Sequence, residues 1–219
     1  MAVAPKTFSL VRWLVVLEIG IWRSLLLWAL RRVPGLGPGV QSFGYARDIT
    51  PLLGAFVFVS ALEVIVVHLL LPWETARLVA LGIGIWGLLW MVGFLASMRV
   101  FRHLLDDDGL RIRSGTTADI RIPWQAVERV TARRGSVPKG RSVQVQDGVA
   151  HFAVLKQAKV AVVLHRPTPV TLPDGIHEIS ELRFYADDPR AFVAAARARL
   201  AGVRPVDGYS AATSHQYAG

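Results

Sequence analysis

The sequence predicts an α-helical membrane domain of two or three helices, followed by a small antiparallel β domain with a C-terminal capping helix. Three observations support this fold class: two long apolar segments, a series of short alternating strands after them, and an amphipathic helix near the C-terminus. The apolar segments are residues 49–71 and 76–98. A helix of that length is roughly 34 Å long, which spans a hydrocarbon core of about 30 Å.

The distribution of charged residues divides the chain near residue 101. Seven lysines and arginines lie before Arg99 and eighteen from Arg99 onward, while the acidic residues rise from four to twelve. We therefore predict a membrane domain at 1–101, a cytoplasmic β domain at 102–202 and a disordered tail at 203–219. The mean hydropathy of +0.40 fits an integral protein of the plasma membrane.

Composition also excludes or disfavours several kinds of chemistry. The chain has no cysteine, which excludes disulfides, thiolate catalysis and cysteine-ligated metal sites. Its histidines lack the spacing of metal ligands, and neither a nucleophile motif nor a phosphate-binding loop occurs. We therefore expect no enzyme activity, no metal and no cofactor. The net charge of +9 indicates attraction to anionic lipids of the cytoplasmic leaflet rather than nucleic acid binding.

The first apolar stretch, residues 8–30, allows two interpretations. It is long enough to span a membrane, but it contains Arg12, Glu18 and Arg23, each of which costs roughly 2.5–3.5 kcal/mol at the bilayer centre. The two arginines lie about 20° apart around a helix, which is typical of an amphipathic helix lying in the interface. Alternatively the helix spans, and Glu18 pairs with an arginine or histidine inside the bundle.

The positive-inside rule predicts the orientation of the spans. Arg31, Arg32 and Arg47 occupy the Gly/Pro-rich loop before the first strong span, and two further arginines follow residues 76–98. The turn between the two spans carries only Glu74, with one arginine nearby. We therefore expect the loop and the β domain to be cytoplasmic and the turn to lie outside.

Glu63 and His68 are polar positions inside the predicted span 49–71. Glu63 is about 12 Å of helix from the outer end, so its carboxyl group must be protonated, paired or in contact with water. The alternatives are a proton or ion path, a haem axial histidine, or a hydrogen bond to the first helix. Haem is disfavoured because His68 is the only histidine within a span. The predicted intramembrane polar residues are thus Glu18, Arg23, Glu63 and His68.

Small residues recur along the span 76–98. Ala76, Ala80 and Gly84 are spaced by four, and Gly87 follows three residues later. This spacing places small side chains on one side of the helix, where a neighbouring helix can approach closely, within the chain or in a homo-oligomer. The same glycines match the dinucleotide pattern G-x-G-x-x-G, but no strand precedes them, so helix packing is the predicted role.

The chain after Met98 changes to short alternating segments that predict strands. An Asp188-Pro189 pair then opens an amphipathic helix, because aspartate caps a helix and proline suits its first turn. The predicted strands are 110–114, 118–122, 127–133, 142–146, 151–155, 160–165 and 181–186, and the helix covers 189–201.

Two motifs carry a resemblance to a known family. The run Asp108-Gly-Leu-Arg-Ile-Arg113, followed by Ile120-Arg-Ile-Pro-Trp124-Gln-Ala-Val-Glu-Arg-Val130, resembles the opening of bacterial pleckstrin-homology-like domains that follow membrane helices. The resemblance covers roughly residues 104–201 and implies a β fold closed by one helix. The membrane half, with Glu63-Val-Ile-Val-Val-His68, is similar to uncharacterised actinobacterial membrane proteins, which imply no established activity.

A basic loop between two predicted strands contains Arg133, Arg134, Lys139 and Arg141. If it faces the membrane, each basic side chain near an anionic leaflet contributes about 1 kcal/mol. The alternative is an ordinary charged hairpin end. The related eukaryotic pleckstrin-homology domains bind phosphoinositides through a basic loop after the first strand. Here the first predicted strand carries Arg111 and Arg113, but the densest basic loop lies later in the chain.

The sequence supports two hypotheses about function. The first is a non-enzymatic scaffold or regulatory protein that binds a protein partner through its β domain and anionic lipid through its basic loop. The second is a small ion- or proton-conducting component in which Glu63 titrates. These hypotheses differ in whether Glu63 is needed for activity or only for folding.

Overall fold

A computed structural model describes residues 6–137, 142–172 and 174–202, with side chains described from Val15 onward. The predicted tail at 203–219 lies outside the described residues. The elements in chain order are α1 (Lys6–Ala29), β1 (Gln41–Phe43), α2 (Thr50–Leu70), α3 (Glu74–Val100), β2 (His103–Leu105), β3 (Gly109–Ser114), β4 (Ala118–Pro123), a 3-10 turn (Trp124–Ala126), β5 (Val127–Ser136), β6 (Val143–Gln146), β7 (Val149–Phe152), β8 (Gln157–Leu172), β9 (Gly175–Phe184) and α4 (Pro189–Gly202).

The two long apolar segments form helices. Within the described residues, α2 and α3 are the helices long and apolar enough to cross a membrane. None of the residues of α2 is buried, and α3 is buried only toward its C-terminal end. At the start of α2, the Thr50 hydroxyl does not cap the helix. It donates a hydrogen bond to the Ala46 carbonyl at 2.6 Å.

The chain forms two compact units that interleave in sequence. Of the described residues, the first unit contains 6–104 and 112–119, and the second contains 105–111, 120–137, 142–172 and 174–202. Residues 112–119 thus belong to the same compact unit as the helices, and the boundary that we predicted at residue 101 stays a prediction. The adjacent ends of β3 and β4 belong to the same unit as the helices. In the turn that joins them, Thr116 lies beside Gly20 of α1 and Gly115 lies beside Ser97 of α3.

In the first unit, α3 packs against both other helices. Its Gly93 lies so close to α1 that a Cβ there would be 2.6 Å from Cγ2 of Ile21. A Cβ at Gly84 would likewise be 2.6 Å from Cγ2 of Val64 on α2. Ser60 of α2 reaches Met91 of α3 at 3.6 Å, so α2 and α3 run antiparallel.

The strands form a four-stranded sheet in the order β1-β2-β3-β4 and a five-stranded sheet in the order β5-β8-β9-β7-β6. Each of the seven predicted strands has a counterpart among them. The sequence did not predict β1 or β2, because three residues are too few to show alternation.

The prediction of an antiparallel β domain is wrong for one strand pair. β7 and β9 are parallel, with Val149 opposite Glu181 and Phe152 opposite Phe184. The turn after β7 reverses the chain into β8, and the β8–β9 hairpin reverses it again. After two reversals β9 runs in the same direction as β7. In the sheet, β7 has β9 and not β8 as its neighbour.

The helix α4 completes the second unit. The Asp188 carboxylate accepts a hydrogen bond from the backbone N–H of Ala191 at 2.9 Å, as the predicted cap requires. Phe192 is fully buried and meets the Phe184 ring edge-on at a centroid distance of 5.0 Å. The guanidinium of Arg197 donates to the Val130 carbonyl at 3.0 Å, which ties α4 to β5. The buried residues of this amphipathic helix are Phe192, Val193 and Ala196.

Candidate functional site

The first polar site within the helices is the carboxylate of Glu18 on α1. One of its oxygens accepts a hydrogen bond from the indole of Trp22 at 2.7 Å, and the other accepts from Trp90 of α3 at 2.9 Å. The expected arginine or histidine partner is therefore replaced by two indole N–H donors. Trp22 reaches Glu18 because residues four apart share one side of a helix. Arg23 is exposed and lies outside this site.

Glu63 occupies a different position from the one expected. Its side chain is on an exposed side of α2 and makes no hydrogen bond or ion pair with the side chains described from Val15 onward. The hydrogen bond to the first helix that we considered is thus absent from the described part of the chain. His68 is half-buried, and its Nδ1 has no hydrogen-bond partner among the same residues. The structure does not bring Glu63 and His68 together.

The four small residues of α3 divide into two groups. Gly84 is in close contact with Val64, while Ala76 and Ala80 are half-buried on the same helix. A Cβ at Gly87 would meet nothing within 4 Å, so Gly87 is not required for helix contact within this chain. The Gly84 side of α3 is occupied by the chain's own α2.

A buried polar cluster that the sequence did not reveal lies in the first unit around Arg113. This side chain is only 3% exposed, and its guanidinium donates to the Pro34 carbonyl at 2.8 Å. Nε is 3.4 Å from the Asp119 carboxylate. The backbone N–H of Arg113 donates to Nδ1 of His103 at 3.2 Å. The guanidinium therefore joins the loop before α2 to the end of the β3–β4 hairpin.

Tyr45 completes this polar cluster. Its ring stacks on His103 with a centroid separation of 4.7 Å, and its hydroxyl accepts a hydrogen bond from the Gly115 backbone at 2.6 Å. Both rings are about 2% exposed. The alternation of β3 predicts that Arg113 points away from the core side of Leu110 and Ile112. The loop before α2 and the Phe101 ring, 6.0 Å from the guanidinium, lie against it on that other side.

The basic loop lies partly within the described residues. Arg133 and Arg134, near the end of β5, are both exposed, while Lys139 and Arg141 lie outside the described residues. The pairing of β5 with β8 shifts register between Ala132 and Gly135, so the two arginines sit at an irregularity of the sheet. The described pair presents two positive charges to solvent.

A second charged cluster lies in the five-stranded sheet, and the spacing of its residues in the sequence did not predict it. Arg183 and Glu181 on β9 form two hydrogen bonds, at 2.8 and 3.0 Å. The parallel register places His151 of β7 opposite Arg183, and His151 is only 4% exposed. Its Nδ1 has no hydrogen-bond partner in the part of the chain that the structure describes.

These contacts shift the protonation equilibria of the cluster. Burial lowers the pKa of His151 below its ordinary 6.5, and the charge of Arg183 lowers that pKa further, while Glu181 opposes the change. The hydrogen bond from Arg183 is the main cause that lowers the pKa of Glu181 below its ordinary 4.5. In both cases the unfolded state binds protons more readily than the folded state, so the free energy of unfolding is smaller in acid than at neutral pH.

We expect the thermal midpoint of the full chain in detergent to fall as pH drops below about 6.5, because the unfolded state then takes up a proton that folded His151 disfavours. A second decline is expected below about 4.5 from Glu181. His151→Gln should make the thermal midpoint nearly independent of pH between about pH 7 and 5. The decline below about 4.5 should be unchanged. Equal slopes for the variant and wild type over that upper range would contradict the prediction.

No group of three or more histidine or acidic side chains suited to a metal ion occurs among the residues that the structure describes.

Comparison of the chain with family models, curated proteins and solved structures gives no match. The chain is therefore described by its architecture alone. It has N-terminal helices, two of them long and apolar, followed by two β-sheets and a C-terminal helix.

Proposed function

We propose that this chain is a non-enzymatic protein of the plasma membrane that anchors a β interaction module at the cytoplasmic surface. The observation that carries the proposal is the apolar surface of α2. This helix is about 32 Å long at 1.5 Å per residue, close to the thickness of a hydrocarbon core. Its exposed large apolar side chains are Leu52, Phe56, Phe58, Val59, Leu62, Ile65, Val66, Leu69 and Leu70. Water is a poor solvent for such a surface.

The packing of α1 supports three spans rather than two. Glu18 contacts Trp90, and Ile21 contacts Gly93, so a step of three residues along α1 matches a step of three along α3. The two helices therefore run side by side in one direction, as expected if α1 crosses the membrane with α3. The indole donors on Glu18 reduce the cost of its burial in lipid.

Three spans give a consistent orientation. The loop after α1, with Arg31, Arg32 and Arg47, and the chain after α3 then lie on the same side, which the arginines mark as cytoplasmic. The turn at residues 71–73 lies on the opposite side. We place the β strands and α4 in the cytoplasm on this basis.

We propose further that the β strands and α4 form a module similar to pleckstrin-homology-like domains. Two sheets followed by a C-terminal helix support this, as does Trp124 of the matching motif, which is 1% exposed in the core. The exposed Arg133 and Arg134 are suited to an acidic surface of a partner protein or to anionic lipid.

The conducting alternative has less support. A residue that passes ions is expected to line a path through the bundle, whereas Glu63 lies on the exposed side of α2. The side of α2 that meets α3 carries Val64 and Ser60 in close contact with α3. We therefore retain the scaffold or regulatory hypothesis as the function that the geometry supports best.

The proposal is tested by copurification of the full chain from membranes. A chain that ends near residue 101 is unsuitable, because residues 112–119 belong to the same compact unit as the helices. We compare wild type with a doubly charge-reversed variant, Arg133→Glu with Arg134→Glu, by copurification in mild detergent from unwashed membranes, and a separate portion of the membranes is washed with alkaline carbonate to test anchoring. Arg190→Glu, at an exposed position of α4, is the matched control.

We expect all three proteins to stay in the carbonate-washed membranes. A defined partner protein should copurify with wild type and with the control, and its recovery should fall several-fold with the double variant. Release of the wild type by carbonate would contradict membrane anchoring. Equal recovery of the partner with all three proteins, or no partner with any of them, would contradict an interaction through the basic arginines.

A further inference from the structure

The position of Glu63 within α2 raises the question of what contacts its carboxyl group. Glu63 is seven residues from the C-terminal end of α2 at Leu70, which corresponds to about 10 Å of helix. Its side of the helix is otherwise apolar and open: Phe56, Val59 and Val66 are 55%, 59% and 49% exposed. In a bilayer these side chains suit lipid, but a carboxyl group does not.

The described residues of the chain do not satisfy this carboxyl group. The side of α2 that packs on α3 contains Ser60 and Val64, and Glu63 lies about 100° around the helix from Val64. The small-residue side of α3, an alternative place for an oligomer contact, is already occupied by α2 at Gly84. Any contact between copies of the chain therefore needs another surface, and the Glu63 side of α2 is open.

We propose that a second copy of this chain packs against the Glu63 side of α2, with the two Glu63 carboxyl groups hydrogen-bonded across a two-fold axis. An isologous interface brings a residue on the axis against its own copy. A carboxyl group is self-complementary, because a protonated one donates to the other and accepts in turn. A second copy thus satisfies Glu63 without a basic side chain from another protein, and it removes two carboxyl groups from contact with lipid.

The proposed surface is defined by four apolar residues around Glu63: Phe56, Val59, Val66 and Leu70. At 100° per residue, each of them lies within about 60° of Glu63. Ile65 lies about 200° from Glu63, on the far side of the helix, and is 56% exposed. Positions 59 and 66 therefore belong to the predicted interface, and position 65 provides a control of similar exposure.

The absence of cysteine makes a direct test available, since any introduced cysteine is the sole thiol of the chain. Val59→Cys, Val66→Cys and Ile65→Cys are each reconstituted as full chains in lipid vesicles and oxidised. A disulfide requires the two Cβ atoms to approach to about 3.8 Å. We expect a cross-linked dimer, at twice the 24.0 kDa chain mass, from positions 59 and 66 but not from 65. The dimer should persist when the protein is diluted tenfold in lipid.

The role of the carboxyl group is tested with two further variants in the Val66→Cys background. Glu63→Gln keeps a self-complementary hydrogen-bonding group, so cross-linking should be retained. Glu63→Leu suits lipid and removes the hydrogen bonds, so the dimer dissociation constant should rise about five- to tenfold. Unchanged cross-linking in Glu63→Leu would overturn the role of Glu63. Cross-linking at Ile65 equal to that at Val59 and Val66 would overturn the interface.

The inference rests on the proposed membrane location of α2, and the experiment separates the two. Protein that fails to insert into the vesicles would count against the membrane location. Inserted protein that stays monomeric at all three positions would count against the second copy alone. Cross-linking in native membranes to a chain of different mass, with no dimer, would show that a different protein covers this surface and would overturn the proposal.

Discussion

Replacing Arg113 by alanine is expected to lower the free energy of unfolding by about 3 kcal/mol. The change removes a charge-assisted hydrogen bond to the Pro34 carbonyl, which is worth about 1.5–3 kcal/mol, and the packing of a buried alkyl stem. Asp119 is 43% exposed, so water solvates its carboxylate when the guanidinium is gone, and this limits the loss. The measurement is an unfolding titration of the full chain in mixed micelles.

Arg113→Met is the control for this prediction. Methionine keeps most of the apolar stem but cannot donate a hydrogen bond, so its effect should lie between wild type and alanine. If both variants unfold within about 0.5 kcal/mol of wild type, the guanidinium does not stabilise the contact between the loop before α2 and the hairpin end.

Replacing Trp124 by alanine is expected to have a similar or larger effect, about 3–5 kcal/mol. The side chain is 1% exposed, and its indole N–H donates to the Asp106 carbonyl at 2.9 Å. Removal of the indole leaves a cavity in the second unit and an acceptor without its donor. Because the chain contains seven tryptophans, circular dichroism is a better measure of unfolding here than tryptophan fluorescence.

Trp124→Phe separates packing from hydrogen bonding. Phenylalanine keeps an aromatic ring in the core and loses the hydrogen bond, so we expect about 1–2 kcal/mol. A loss below about 1 kcal/mol for Trp124→Ala would contradict the structural role of the indole. A loss for Trp124→Phe as large as that for alanine would assign the effect to the hydrogen bond rather than to packing.

The two glutamates of α1 and α2 show how one residue type within apolar helices meets different surroundings. Glu18 is bound by two indoles within the chain, whereas Glu63 is open on the outer side of α2. The sequence predicts both as polar positions inside apolar helices. Whether each glutamate faces another helix or the outside depends on how the helices pack. In a helix that is apolar on all sides, the sequence does not show which side packs against a neighbour.

Periodicity and turn chemistry were sufficient for most of the local structure. The two long helices, the seven strands and the Asp188–Pro189 start of α4 follow from residue spacing, because each signal acts over a few neighbouring residues. β1 and β2 were missed because they are three-residue strands held by long-range pairing. Of the glycines in the G-x-G-x-x-G match, Gly84 lies against Val64 of α2, as helix packing requires.

The sequence by itself therefore determined the class of each segment, the two long apolar helices, and the polar residues within the apolar stretches. The tertiary structure alone decided the parallel β7–β9 pair, the Arg113 cluster, and the neighbours of Glu18, Glu63 and His151. These features join residues that are far apart in the chain. Local spacing reports which side of a helix or strand a residue occupies, and only packing determines what lies opposite that side.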